Sequence, residues 1–353
     1  RMRAMRSTIK EVASKAGVST QTVSRVINER PDVSPETRKR VQDVIEELGY
    51  QPSALARSLI NQRSQTLGVV IAGLWHVGPS RVLSGIAEAA QEAGFSLLLK
   101  GLTDFDEKDI EPIFQALLSR HVDGIIWAVP EVGENHAWIH EGSVDRGLPL
   151  VFLTMEPQKD IPVVAVDNYL GGRMAMSHLL EQGYRRIGHI SGPLDWWEAR
   201  QRMAAWRDVL LEAGCAASEN ERAEGDWSPS SGARAAAQLL HQYPDLDAIF
   251  VANDQMALSA IQLVRQQGLR IPEDVGIVGF DNLAESAFFS PALTSIQQDQ
   301  HKIAKIAVEE ITRIIKAGWL DSAAIEPRTI MLPPTLVIRQ SSLRRKEQEV
   351  KPA

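Results

Sequence analysis

The sequence contains a single cysteine, Cys215, among its 353 residues. One thiol excludes a disulfide within the chain and fits a reducing compartment. No apolar run approaches the length needed to cross a membrane, which excludes a membrane-spanning helix. No secretory signal peptide is visible before the first helical motif. From these absences we expect a cytoplasmic protein.

The sequence shows no catalytic or metal-binding motif with the residue spacing that such a site requires. There is no glycine-rich phosphate-binding loop between a strand and a helix, and no cysteine pair that could bind a metal. His178, His189 and His301 lack the spacing of ligands to one metal ion. Asp167 and Asp281 could imitate the carboxylate pair of a glycosidase, but nothing else supports that reaction. The sequence therefore predicts a protein that is not an enzyme and needs neither a cofactor nor a metal.

The charge of the chain is divided unevenly. Residues 1–63 carry 12 Lys/Arg and 7 Asp/Glu, a net charge of +5, which leaves −12 for the remainder of the chain's total of −7. A basic N-terminal segment can neutralise phosphates, whereas an acidic body is repelled by DNA. The length suits two or three domains, and the charge difference indicates that the first of them is the one that contacts nucleic acid.

Residues 8–28 predict two short helices around a tight turn. Thr8 and Ser19 are placed to cap these helices, and Gly17 supplies the turn. The second helix buries apolar residues at helical spacing and presents a polar face. That face carries the kinds of side chain that read base edges and phosphates: Thr20, Gln21, Ser24, Arg25 and Asn28. The alternative is a helical hairpin that merely begins a larger domain.

A third helix favours the DNA-binding interpretation. Ser34 is a predicted N-cap with Pro35 at the first helical position, and the helix is expected to end near Gly49. Three helices within about fifty residues, one of them with a polar reading face, are typical of a DNA-binding headpiece. We therefore assign residues 1–50 to an all-α helix-turn-helix headpiece.

Three runs in this part of the chain carry a family resemblance. They are VSTQTVSRVIN at residues 18–28, VSPETRKRV at residues 33–41 and LGYQPSALARSL at residues 48–59. Together they closely resemble the lactose-repressor (LacI/GalR) family, and the resemblance extends over nearly the whole chain. It implies that residues 51–64 form a hinge helix that contacts DNA through Ala56 and Leu59, with Leu59 inserted into the minor groove. The alternative for this segment is a polar linker.

From Thr66 onward, apolar strands alternate with helices. Strands of this kind predict parallel sheets buried on both faces, arranged as two similar doubly wound subdomains. The arrangement resembles a periplasmic-binding-protein core, with a ligand cleft at the carboxyl ends of the strands. The predicted boundaries are 65–166 and 298–326 for the N-subdomain, 167–297 and 327–343 for the C-subdomain, and 344–353 for a polar tail. The tail has no leucine heptad, which indicates a homodimer.

Polar and aromatic residues follow several of these strands. The resemblance implies that Arg202, Asn253 and Asp281 hydrogen-bond an effector and that an aromatic residue in the loop containing Trp227 packs against it. The alternative for Arg202 is a solvated side chain on a helix. The alternative for an Asn or Asp that follows a strand is a helix N-cap, and for Asp254 we prefer the cap. The complete predicted effector set is Trp75, Asp167, Trp196, Arg202, Trp227, Asn253 and Asp281.

These observations predict a homodimeric transcriptional repressor that binds a palindromic operator and is relieved by a sugar. Arg25 suits a guanine, and Gln21 suits an adenine or the DNA backbone. Trp196, Trp197 and Trp227 supply more indole surface than one sugar ring needs, so we expect a β-glucoside or β-galactoside disaccharide. The alternatives are a regulator that depends on a corepressor or responds to a purine or nucleoside. A sugar-binding transport protein would not carry residues 8–63.

Overall fold

The described part of the computed structural model covers residues 7–27, 30–50, 63–105, 109–139, 148–318 and 326–344. It divides into an N-terminal unit, Arg1–Gln65, and a second unit, Thr66–Ala353. In these residues no helix combines the length and the apolar character that a membrane span requires. The N-terminal unit is helical and the second unit is α/β, which confirms the predicted fold class.

In its described residues, the N-terminal unit contains three short helices, α1 (Ile9–Ala16), α2 (Thr20–Ile27) and α3 (Pro35–Glu47). The amide of Glu11 donates to Thr8 Oγ1 over 3.4 Å while the Glu11 carboxylate accepts from the Thr8 amide. The Thr22 amide donates to Ser19 Oγ over 3.1 Å, so both predicted caps are confirmed. The buried side chains of the unit are Val12, Ala13, Ala16, Val23, Val26, Val41 and Val44.

The second unit contains two six-stranded sheets. The first half of its chain contributes β1 (Thr66–Ala72), α4 (Val77–Glu92), β2 (Ser96–Leu102), α5 (Glu111–Leu118), β3 (Gly124–Ala128), β4 (Leu150–Leu153), β5 (Val163–Val166) and α6 (Asn168–Glu181). The second half contributes β6 (Ile187–Ser191), α7 (Trp197–Glu212), β7 (Arg222–Glu224), α8 (Pro229–Gln242), β8 (Ala248–Val251), α9 (Asp254–Gln266), β9 (Gly276–Asp281), β10 (Thr294–Gln297), α10 (Gln300–Gly318), β11 (Thr329–Leu332) and β12 (Thr335–Val337).

The two sheets have equivalent topologies. The first lobe has the strand order β11-β5-β4-β3-β1-β2, and the second lobe has the order β12-β10-β9-β8-β6-β7. All neighbours are parallel except β10 and β12. In the first lobe α4 and α10 cover one face and α5 the other; in the second lobe α8 and α9 cover one face and α6 and α7 the other. Burial on both faces explains why these strands are apolar along their length.

One predicted boundary is wrong. The sequence assigned residues 327–343 to the second lobe, but β11 pairs with β5 in the first, Thr329 opposite Val163. The chain therefore crosses to the second lobe at residues 333–334, immediately before β12. The polar edge strand β7 was not predicted, because it has three residues and only Ala223 is buried.

Candidate ligand cleft and nucleic-acid interface

A cavity that is partly open to solvent lies between the carboxyl ends of the two sheets. This is the place where doubly wound folds bind their ligands. Its polar and aromatic lining comprises His76, Thr154, Trp196, Glu198, Arg202, Trp227, Asn253, Gln255, Asp281, Gln298 and Gln300. Five of the seven predicted effector residues therefore meet in one cavity, although they are scattered over 86 positions of the sequence between Trp196 and Asp281.

Arg202 projects from α7 and is 5% exposed. Its Nε donates to Asn168 Oδ1 over 2.9 Å, and Nη1 donates to the carbonyl oxygen of Ala252 over 2.5 Å. The guanidinium carbon lies 3.8 Å from the centre of the Phe280 ring. Burial lowers the pKa of Arg202, while the charge of Asp281 opposes that effect. The result is a fixed guanidinium in the cavity wall, not the solvated side chain of the alternative interpretation.

Asp281 ends β9 with a backbone φ of 109°, a conformation that L residues rarely adopt. Gln298 Nε2 donates to its Oδ1 over 2.5 Å. Burial raises the pKa of the Asp281 carboxyl, and the nearby Arg202 charge acts in the opposite direction. Unusual backbone at the end of a strand is common where a side chain must be aimed at a ligand.

Asn253 is the N-cap of α9. The Met256 amide donates to Asn253 Oδ1 over 2.9 Å, and Asn253 Nδ2 donates to the Trp227 carbonyl oxygen over 3.0 Å. The cap was predicted as the preferred role of Asp254, and that assignment is wrong. Asp254 is fully buried and accepts from the Leu283 amide and the hydroxyls of Ser286 and Ser295.

Two indoles form an aromatic wall. The ring centres of Trp196 and Trp227 are 5.7 Å apart with planes at 72°, an edge-to-face pair. A Cβ on Gly192 would overlap the Trp227 ring, so a residue without a side chain is required beneath it. Trp196 also lies 4.7 Å from the centre of the Phe105 ring. This wall is built by both lobes.

Two predicted effector residues lie elsewhere. Trp75 is 66% exposed and packs its ring 5.6 Å from that of His76, outside the cavity lining. Asp167 caps α6 by accepting from the Leu170 amide over 2.8 Å, and it is not among the lining residues. We leave both out of the proposed ligand contacts.

Trp197 begins α7 in the second lobe, yet its buried ring belongs to the hydrophobic core of the first lobe. That core also contains Trp127, whose Nε1 donates to His136 Nε2 over 3.1 Å. Trp197 is therefore a packing residue that joins the lobes, and it is not among the residues that line the cavity.

In the N-terminal unit, α2 presents an exposed polar face. Thr20, Gln21 and Arg25 are exposed, and Ser24 is half-buried. Arg25 Nη1 lies 3.3 Å from Asp32 Oδ2, and both side chains of this ion pair are exposed. Thr8 caps α1 and Ser19 caps α2. Asn28, Ala56 and Leu59 lie outside the described residues, so their predicted DNA contacts stay predictions.

Comparison with known proteins identifies both units. The family model "Bacterial regulatory proteins, lacI family" matches residues 8–53, and "Periplasmic binding protein-like domain" matches residues 176–342. The transcriptional repressor PurR of Aliivibrio salmonicida (strain LFI1238) is 34% identical over 95% of this chain and 98% of its own length. The chain belongs to the LacI family. It is therefore a DNA-binding transcriptional repressor and not an enzyme, as predicted.

Other LacI-family proteins extend the similarity. Catabolite control protein A of Priestia megaterium is 32% identical over 96% of this chain and 100% of its own length. The regulator CelR of Thermobifida fusca is 33% identical over 96% of this chain and 99% of its own length. The lac repressor dimer bound to operator and the anti-inducer ONPF matches with a TM-score of 0.85, at 30% identity over 96% and 99%. A CelR–cellobiose complex matches with a TM-score of 0.69, at 32% identity over 95% and 100%.

Sequence reasoning missed several cavity residues of this LacI-family core. Gln298 directly follows β10, so the rule that selected Asn253 and Asp281 would also have selected it. Glu198 precedes Arg202 by four positions on α7, which places both on one helix face. Its carboxyl is buried, its Oε2 has no hydrogen-bond partner among the described residues, and burial raises its pKa to about 7.

Proposed function

We propose that this LacI-family protein is a cytoplasmic, homodimeric repressor of carbohydrate-utilisation genes that leaves its operator when a β-linked disaccharide of glucose or galactose binds in the cleft. The observation that carries the proposal is the cavity wall. It combines the Trp196–Trp227 edge-to-face pair with the fixed guanidinium of Arg202 and the carboxylate of Asp281. Indoles cover the C–H faces of pyranoses, and planar polar groups pair with adjacent hydroxyls.

A solved relative supports a ligand of more than one ring. The CelR–cellobiose complex is 32% identical to this chain, and its ligand is a β-linked disaccharide. This similarity favours a disaccharide over a free pentose or hexose.

In the proposed complex, Arg202 and Asp281 hydrogen-bond the sugar directly. Asn253 holds the Trp227 loop through its carbonyl oxygen and uses its Oδ1 as a cap, so its contribution to the ligand is the placement of the indole. We propose that a ligand in contact with residues of both lobes changes the arrangement of the lobes. We further propose that this change weakens the binding of the hinge to DNA.

Isothermal calorimetry of the full chain against cellobiose, lactose, glucose and hypoxanthine tests the proposal. We expect cellobiose or lactose to bind and to reduce operator affinity in a gel-shift assay. Asp281→Asn should abolish sugar binding, since Asn tolerates the same left-handed backbone but lacks the charge. Asp245→Asn, at an exposed position, is the matched control and should bind sugar normally.

A purine-responsive repressor is the second candidate, because the PurR of Aliivibrio salmonicida is 34% identical to this chain. A flat base could lie against the same indoles. Hypoxanthine binding without disaccharide binding would replace the sugar proposal with this one. Binding of a sugar that strengthens the DNA complex would instead make the ligand a corepressor.

A further inference from the structure

Glu198 occupies the cavity wall in the first turn of α7. Its side chain is 7% exposed, and Oε2 is fully buried without a hydrogen-bond partner in the described ranges. Buried polar atoms in folded proteins are almost always paired, because an unpaired acceptor destabilises the native state. A glutamate that served only to stabilise the fold would be expected to have a donor beside it.

The two arginines near Glu198 donate hydrogen bonds to other acceptors. Arg202 donates to Asn168 and Ala252, and Arg200 donates to Glu131 and to a backbone carbonyl oxygen. Glu131, on the loop after β3, faces Glu198 as a like charge. Burial raises the pKa of Glu198 to about 7, with Glu131 adding to this effect, while its own backbone amide, Arg202 and Arg200 lower it. The carboxylate is thus left for a donor that enters the cavity.

We propose that Glu198 determines effector specificity: it accepts a hydrogen bond from a hydroxyl of the bound ligand and disfavours ligands that carry negative charge. This inference rests on the proposed effector function of the cleft. An ionised carboxylate has acceptors only, so its partner must be a donor such as a sugar hydroxyl. Glu198 and Asp281 place two carboxyl groups in the cavity wall, and the positive charges that act on them are those of Arg202, Arg200 and Arg81. A negatively charged group of a ligand that lies against the ionised carboxylates is repelled by them. Burial lowers the pKa of His76, while the charge of Asp226 opposes that effect.

A consequence is that ligand binding and proton loss are linked. A hydroxyl donates a stronger hydrogen bond to the ionised form of Glu198 than to the protonated form, so affinity should rise as the pH increases through about 7. A phosphorylated sugar should bind more weakly than the same sugar without phosphate, because it brings a negative charge toward two buried carboxylates.

The test compares wild type, Glu198→Gln and Glu273→Gln in the full chain. Glu273 is exposed and precedes β9 at the end opposite the cavity, so it is the matched control. At pH 8 we expect Glu198→Gln to weaken cellobiose binding about 10- to 100-fold, the size of a hydrogen bond to a charged group. At pH 6 the difference should shrink. Wild type should bind cellobiose 6-phosphate more weakly than cellobiose. The ratio of these two affinities should be smaller in Glu198→Gln.

A ligand-free measurement separates this role from a structural one. Without ligand, Glu198→Gln should raise the thermal midpoint at pH 8, because it removes an unpaired buried charge. A lower midpoint at pH 8 together with unchanged cellobiose affinity would overturn the inference. If wild type binds hypoxanthine and no disaccharide, the proposed sugar function fails. The affinities of wild type and Glu198→Gln for hypoxanthine then test the role of Glu198. Equal affinities would overturn the inference that Glu198 determines effector specificity.

Discussion

Arg200 of the second lobe donates from Nη2 to Glu131 Oε1 of the first lobe over 2.8 Å. The two residues form an ion pair at the edge of the cleft. Two backbone hydrogen bonds join the same segments of the chain. The Trp197 amide donates to the Glu131 carbonyl oxygen, and the Gly133 amide donates to that of Asp195. The lobes are therefore joined by a short ladder of contacts beside the ligand cavity, in addition to the three chain crossings.

This ion pair should affect ligand kinetics more than stability. Arg200 is 38% exposed, so solvent screens the pair and its loss should cost at most about 1 kcal/mol of unfolding free energy. Arg200→Gln removes a contact between the lobes, so the effector should dissociate faster. Stopped-flow tryptophan fluorescence measures that rate. Arg270→Gln breaks the exposed Arg270–Asp274 ion pair, which precedes β9 at the end opposite the cavity, and is the control. Equal dissociation rates in the two variants would contradict the prediction.

Trp196 and Trp197 are adjacent in the sequence but should respond differently to truncation. Trp197 is 3% exposed in the first-lobe core, so Trp197→Ala should destabilise the protein by about 3–5 kcal/mol. Trp196 lines the cavity, so Trp196→Phe should weaken sugar binding with a smaller effect on stability. Urea unfolding and calorimetry separate the two effects. The assignment fails if Trp197→Ala unfolds at the wild-type urea concentration.

Arg25 should contribute to sequence-specific DNA binding without supporting the fold. It is exposed and its partner is Asp32, so Arg25→Ala leaves the core of the headpiece intact. Loss of a guanidinium contact to a base should cost about 1–3 kcal/mol of operator affinity. Footprinting on operator and on random DNA measures this effect. Lys39→Ala, on α3, is the control because it also removes one positive charge. A similar decrease in operator affinity in both variants would indicate a general electrostatic effect instead.

His189 predicts a pH dependence of stability. It lies in β6, fully buried between Trp206 and Phe250, and burial lowers its pKa to about 3. The unfolded chain takes up this proton near pH 6.5 while the folded protein does not, so stability is present above that pH and is lost as the pH falls. His189→Gln should show a smaller drop in thermal midpoint between pH 7 and pH 5. Parallel midpoint curves for the variant and wild type would exclude His189 as a contributor.

Much of the fold could be predicted because it depends on local patterns. Thr8, Ser19 and Ser34 cap helices through their own nearby amides, and the apolar strands reflect burial on both faces of a sheet. The strand-end rule also located Asn253 and Asp281 at the cavity. It could not place residue 327 correctly, because β11 pairs with a strand that lies more than 150 positions away in the chain.

The sequence by itself determined the exposed polar face of α2, the two doubly wound lobes and the position of the cleft, since periodicity and strand ends are local properties. Only the tertiary structure decided how individual polar groups are satisfied. It made Asn253 a cap and Asp254 a buried acceptor, buried Trp197 in the other lobe, and left Glu198 Oε2 without a partner in the described chain. The physical reason is that hydrogen-bond satisfaction and burial depend on neighbours that are distant in sequence and meet only when the lobes assemble.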